Sequence, residues 1–239
     1  MEWASEMSAP GLFPMFLKLS GRRCVVVGAG EIATAKIASL LDAGARVTVV
    51  APRALDETRE LARLGAIEWL EREYADVADL DGAFIAIAAT ADAHVNGRVF
   101  ADAQERGILC NAVDDPPNCD FYFGAVVKRG ALQVAISSAG ESPALVQRLR
   151  REIDARLDAG TGEWLRVVGE LRREILAAYP ASEARKRALH RLAQVEVCEA
   201  HECPARRAAH KQAAGGDLSA IADAGAAEQS PLNPAEAVR

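Results

Sequence analysis

The chain has 239 residues, half of them hydrophobic, and a formal net charge of -6 at pH 7, enough for one large domain or two small ones around a sizeable core. The acidic balance argues against nucleic-acid partners, which need a basic face, and no apolar run is long enough to span a bilayer. The opening Met1-Glu2-Trp3-Ala4-Ser5-Glu6 lacks the basic-then-apolar order of a secretion signal, so the expected location is cytoplasmic, with no membrane partner.

The first predicted strand, Cys24–Val27, runs straight into Gly28-Ala29-Gly30 and a helix over Glu31–Ala43. The spacing Gly28-x-Gly30-x-x-Ala33 is the dinucleotide fingerprint with Ala in its third place. Gly28 permits a sharp turn and Gly30 leaves room for a pyrophosphate. Ala33 lets the helix sit close to the sheet, so that its N-terminus can face phosphate. Along this helix Ile32, Ala35, Leu40 and Ala43 are expected to form the apolar face, with Lys36 and Asp42 directed elsewhere.

A second strand, Arg46–Val50, ends in Ala51-Pro52-Arg53. An acid that would hold ribose hydroxyls is missing there. Arg53 suits an adenosine 2′-phosphate, or it stands outside the site while backbone groups meet the adenosine, so NAD and NADP both remain open. A helix over Leu55–Leu64, a strand at Ile67–Leu70 and a strand at Ala83–Ala88 follow. The last leads into Ala89-Thr90-Ala91-Asp92, where Thr90 can bond a cofactor or cap the next helix, Ala93–Arg106. A fifth strand, Ile108–Asn111, ends in Ala112-Val113-Asp114-Asp115. One of these adjacent carboxylates can face a cleft and take a proton; a solvated turn is the alternative. Short apolar strands alternating with helices give an α/β fold, a Rossmann-type doubly wound parallel sheet.

Beyond Asp115-Pro116-Pro117-Asn118 two runs, Phe121–Val127 and Leu132–Ser137, form a predicted hairpin through Lys128-Arg129-Gly130-Ala131. The small, polar loop Ser137–Pro143 leads into a helix capped by Ser142 with Pro143 at its first position. Its exposed N–H groups suit an anion, and Arg148, Arg150 and Arg151 follow closely; a plain capping loop is the alternative. Leu145, Leu149, Ile153 and Leu157 are expected to line the apolar face of that helix. Further helices are predicted over Glu163–Ala178 and Ser182–Val197. The expected organisation is a dinucleotide-binding domain over 1–114, a small α+β region over 115–150, a helical region over 151–205 and a disordered tail over 206–239. The five cysteines, Cys24, Cys110, Cys119, Cys198 and Cys203, form no disulfide framework. Cys198, His201 and Cys203 lack the second ligand pair of a structural zinc site and are expected to be incidental, so no bound metal is expected.

Taken together, several of these stretches resemble the dehydrogenase/ferrochelatase module of sirohaem synthase, also found alone as precorrin-2 dehydrogenase. They are Phe16–Leu19, Gly21–Gly30, Ala33-x-x-Lys36, Gly44–Pro52, Ile87–Thr90 with Asn96, Cys110–Asp114 and Ser137–Leu145. The last two are the most specific. The resemblance implies NAD-dependent oxidation of precorrin-2 to sirohydrochlorin, followed in many members by insertion of ferrous iron to give sirohaem. It implies a homodimer in which the region after Asp114 dimerises and the following helices complete the substrate side. It also implies that methylation is left to another protein. By the same resemblance the essential aspartate falls on Asp114. The cofactor contacts fall on Gly28, Gly30, Glu31, Ile32, Pro52, Arg53 and Thr90, and Ser138 and Asn111 lie on the tetrapyrrole side. Two alternatives are a dehydrogenase served by a separate chelatase and a non-enzymatic NAD-binding sensor. A sensor would need neither Asp114 nor the Ser137–Pro143 loop.

Overall fold

Unbroken valine-rich runs can bury both faces of a strand, and the central strands do so. A computed structural model describes residues 11–194. Those residues form two units, the first running to Phe123 and the second starting at Gly124. The first unit comprises β1 (Arg23–Val27), α1 (Glu31–Asp42), β2 (Arg46–Val50), α2 (Asp56–Arg63), β3 (Ile67–Leu70), β4 (Ile85–Ala88), α3 (Ala93–Glu105) and β5 (Leu109–Ala112). The strands form one parallel sheet in the order β3-β2-β1-β4-β5, as the alternating pattern predicts. Cys24 and Val26 join Val49, Ile87 and α1 residues Ala33 and Ile37 in one buried cluster. Val25 and Val27 join Ala86, Ala88 and α3 residues Val99 and Ala103 in another. Successive residues of one apolar run thus feed two cores, which fixes the register of the sheet.

The buried stripe of α1 is Ala33, Ile37 and Leu40, not the Ile32, Ala35, Leu40 and Ala43 series. Ile32 and Ala35 are exposed and Lys36 is half-buried. Ala33 has to be inward, because the first turn of α1 must lie against the sheet for the glycine turn to close. The hairpin strand expected over Phe121–Val127 is β6 (Ala125–Arg129). Residues ahead of it fold back on β5: Cys119 pairs antiparallel with Asn111, and Phe121 packs against the α1-side cluster.

In the second unit β6 and β7 (Leu132–Ile136) form an antiparallel hairpin, followed by α4 (Pro143–Arg156), α5 (Thr161–Ala178) and α6 (Glu183–Gln194). The turn residue Gly130 and Gly162 of α5 approach backbone to backbone, with no room for a Cβ on Gly162. On α4 the buried residue is Val146, and Leu145, expected inside, is exposed. Val167, Leu171 and Ile175 of α5 meet Leu192 of α6 in a third cluster. The segment with Cys198, His201 and Cys203, the last residues of the helix expected to reach Val197, and the tail over 206–239 lie outside the described residues. Among the described residues no helix is long and apolar enough to cross a membrane.

Gly28 has φ +107, and a Cβ built on it would overlap the Ala89 carbonyl. Gly28→Ala is expected to destabilise the first unit by about 2–5 kcal/mol, from overpacking and left-handed strain together; denaturant unfolding against wild type checks this. Burial, helped by the charges of Asp120 and Cys119, pushes the Cys110 thiol up to about 12, and burial also raises that of Cys24. Thiolate is the reactive form, so both should resist iodoacetamide at pH 8 in the native protein and react after unfolding, as read by peptide mass mapping.

Candidate functional site

Every strand of the parallel sheet ends at one edge, and the strand order reverses between β1 and β4, the place where sheets of this kind leave a crevice for ligands. The edge is stitched by backbone bonds. Gly28 N–H donates to Val50 O at 2.9 Å, Ala89 N–H to Val27 O at 2.8 Å and Val113 N–H to Ala88 O at 2.9 Å. These bonds set the ends of β1, β2, β4 and β5 side by side. Gly28 is buried in this seam, where only hydrogen fits beside Ala89.

Gly30 behaves differently. Its φ and ψ are those of extended backbone, it is the N-cap of α1 with no side-chain cap, and a Cβ on it would meet nothing within 4 Å. Space in front of it and an uncapped helix N-terminus are what a pyrophosphate requires. Glu31 and Ile32 follow in the first turn, both exposed, with Ile32 offering apolar surface beside that space. These residues fit a dinucleotide.

On the adenosine side, Leu55 N–H donates to Ala29 O at 3.3 Å and ties the loop after β2 to the glycine turn. The carbonyl of Ala51 accepts from the Trp69 indole at 2.9 Å. Pro52 and Arg53 stand exposed on that loop. Across the crevice, the Thr90 hydroxyl is engaged locally. It donates to Asn96 Oδ1 at 2.7 Å or to the Asp92 carbonyl at 3.0 Å, and accepts from Asp92 N–H at 3.1 Å. Asp92 is the N-cap of α3, accepting from His94 N–H at 2.8 Å. Thr90 therefore shapes the turn that faces the glycines.

At the end of β5 the two adjacent carboxylates separate. Asp115 is bound into the turn: its carboxylate accepts from Asn118 Nδ2 at 2.7 Å and its carbonyl from Asn118 N–H at 2.9 Å. Asp114 is exposed, on backbone with φ +61, a left-handed conformation that a non-glycine residue holds at a cost of about 1–2 kcal/mol. Asn111 is buried, and its amide donates to Phe121 O at 2.8 Å and to Cys119 Sγ at 3.2 Å. It thereby anchors the segment that follows Asp114.

Lys36, expected to point away from the apolar face of α1, instead lies half-buried beside it. Lys36 Nζ lies 3.7 Å from the centroid of the Phe123 ring. Burial draws its amine below the ordinary lysine value while the Asp114 charge pushes it back up. The signal was present in the sequence: Ala33, Lys36, Ile37 and Leu40 follow the i, i+3, i+4, i+7 pattern of one helix face, with a lysine in an apolar series.

In the second unit, Ser138 is half-buried and its hydroxyl accepts from Ser142 N–H at 3.0 Å. Ser142 caps α4 by accepting from Leu145 N–H. The intervening Ala139 is left-handed, with φ +52.

The first unit coincides with a family model described as "Putative NAD(P)-binding", which matches residues 15–125. A second, "Sirohaem biosynthesis protein central", matches residues 129–156. The chain is 43% identical over 175 residues to a sirohaem synthase of Chromobacterium violaceum, covering 73% of this chain and 37% of that protein. It is 45% identical over 159 residues to sirohaem synthase 1 of Cronobacter sakazakii, covering 66% and 34%. It thus spans little more than a third of the length of the curated relatives it matches. A solved structure titled "SirC, precorrin-2 dehydrogenase" superposes with a TM-score of 0.69 at 27% identity, over 85% of this chain and 99% of that one. With its NAD(P)-binding and central parts both matched in order, this chain belongs to the sirohaem synthase family.

Proposed function

We propose that the chain oxidises precorrin-2 to sirohydrochlorin with NAD as hydride acceptor, a step in sirohaem biosynthesis. The observation that carries this reading is Asp114, an exposed carboxylate held in a strained turn at the sheet edge that also bears the open glycine turn. Oxidising a reduced tetrapyrrole removes a hydride and a proton. Bound NAD supplies the hydride acceptor. Asp114 takes the proton on a carboxylate oxygen, which needs a base with free access to substrate. Asp115 cannot serve equally, because Asn118 occupies it.

The rest of the site binds and orients. Gly28 allows the sharp turn, Gly30 leaves room for the pyrophosphate, and the first-turn N–H groups of Glu31 and Ile32 meet it. Pro52 and Arg53 line the adenosine end, and Thr90 shapes the opposite wall. Asn111 serves the substrate side by holding Phe121, and Ser138 contacts the tetrapyrrole. The free thiols Cys24, Cys110 and Cys119 suit a reducing, cytoplasmic setting.

The proposal extends to two finer points. Ferrous iron is a second substrate, inserted into sirohydrochlorin after the oxidation. The active species is a homodimer joined through the second unit, where Val126 and Leu145 present apolar side chains to solvent.

Purified protein given precorrin-2 and NAD without oxygen is expected to yield sirohydrochlorin and NADH, read by absorbance. A parallel sample with ferrous iron is expected to yield sirohaem, and sedimentation should report a dimer. Asp114→Asn should lower turnover by about 10²–10⁴-fold with NAD affinity unchanged; full activity in that variant would remove Asp114 from the chemistry. Gly30→Val fits the extended backbone, so the protein should fold normally while its dissociation constant for NAD rises at least about tenfold, as measured by calorimetry.

A further inference from the structure

We infer that Lys36 is a positioning residue for Asp114: with its ammonium seated on the Phe123 ring, it holds that carboxylate at the working edge of the sheet. This inference rests on the oxidation proposed above and adds a residue to it.

The geometry begins on α1. Ala33, Ile37 and Leu40 are buried against the sheet, and Lys36 leaves the helix on the flank of that stripe. A lysine in such a place lays its methylenes along apolar surface and carries its charge towards water. Here the charge stops at the face of Phe123, 3.7 Å from its centroid. Among the described residues no carboxylate lies within ion-pair distance of Nζ, so the ring is its close partner. Contacts of this kind strengthen as water is excluded.

Phe123 is itself held in place. It packs edge-on against Phe121, with centroids 5.4 Å apart and planes at 71°. The Phe121 carbonyl accepts from Asn111 Nδ2 at 2.8 Å. Asn111 stands on β5 three residues before Asp114. The ring under the lysine and the turn that carries the carboxylate therefore hang from the same strand end.

The two charges also feel each other, since the Asp114 carboxylate raises the Lys36 amine against the lowering effect of burial. Asp114 has no such anchor within its own turn; the anchored member of the pair is Asp115. A cation fixed on a neighbouring helix supplies what the turn lacks. Because α1 also carries the glycine turn at its N-terminus, Lys36 couples the position of the carboxylate to that of the cofactor.

Lys36→Met keeps the stem and removes the charge, whereas Lys36→Arg keeps the charge. In Lys36→Met the kcat for precorrin-2 oxidation should fall about ten- to a hundredfold, with the NAD dissociation constant unchanged and the melting temperature lower by no more than about a few degrees. Lys36→Arg should restore most of the rate, and Lys36→Met added to Asp114→Asn should cost nothing more. An equal loss with and without Asp114 would overturn the inference. A second measurement needs neither substrate nor cofactor: NMR of protein carrying ¹³Cε-labelled lysine follows the Lys36 amine directly. Its midpoint should be lower in Asp114→Asn than in wild type, and an unchanged midpoint would equally overturn it. If wild-type protein fails to oxidise precorrin-2, the functional reading falls, while this titration still decides the Lys36–Asp114 pair.

Discussion

At the reversal between β1 and β4, the backbone of Gly28 passes the Ala89 carbonyl with space for a hydrogen and nothing larger. The rest of the candidate site depends on that approach. It brings the ends of the two central strands together and turns the chain directly into α1. The approach also leaves Gly30 at the mouth of the crevice with open space before it. The loop after β2 and the end of β5 then attach to this seam by single backbone bonds, Leu55 to Ala29 and Val113 to Ala88. A dinucleotide turn and a carboxylate are thereby built on one rigid sheet edge, where small displacements are resisted by the two packed cores beneath.

Chemistry at the end of β5 is organised by differences between near neighbours. Asp114 and Asp115 are identical in type, yet the second is absorbed by a tight turn with Asn118 and the first is presented on left-handed backbone. Polar residues around them have structural work: Asp120 accepts from Cys110 N–H and from Gln104 Nε2, both at 2.8 Å, and Asn111 grips Phe121. Asn111 is buried, and its amide is satisfied there as a low-dielectric interior demands. Together these contacts force residues 119–123 back along β5 and set Phe123 where Lys36 can reach it.

The second unit follows the same economy of local rules. A glycine turn closes the hairpin, the close passage of Gly130 and Gly162 brings α5 against it, and Arg129 ties α4 in place by donating to the carbonyls of Leu157 and Asp154. The loop carrying Ser138 is held by its own hydroxyls, through Ser137 to Ala139 N–H and Ser138 to Ser142 N–H. Ala139 and Gly140 both lie at positive φ there. This loop keeps its shape without outside help, which suits a residue offered to a ligand.

Much of this was legible from sequence because it is governed by neighbours in the chain. Short unbroken apolar runs marked the strands, Gly28 and Gly30 marked the turn, and Ser142-Pro143 marked the start of α4; each depends on steric and hydrogen-bonding rules that act over a few residues. The edge as a candidate site was likewise readable from the ends of β1, β4 and β5. Spacing left the choice between the two adjacent aspartates to the family resemblance, which pointed to Asp114, and it gave neither the buried face of α1 nor the meeting of Lys36 with Phe123. Those outcomes depend on residues far apart in sequence whose positions are set only when β5 and its returning segment pack beside α1. Periodicity identifies an amphipathic helix, but its rotation is decided by what it packs against.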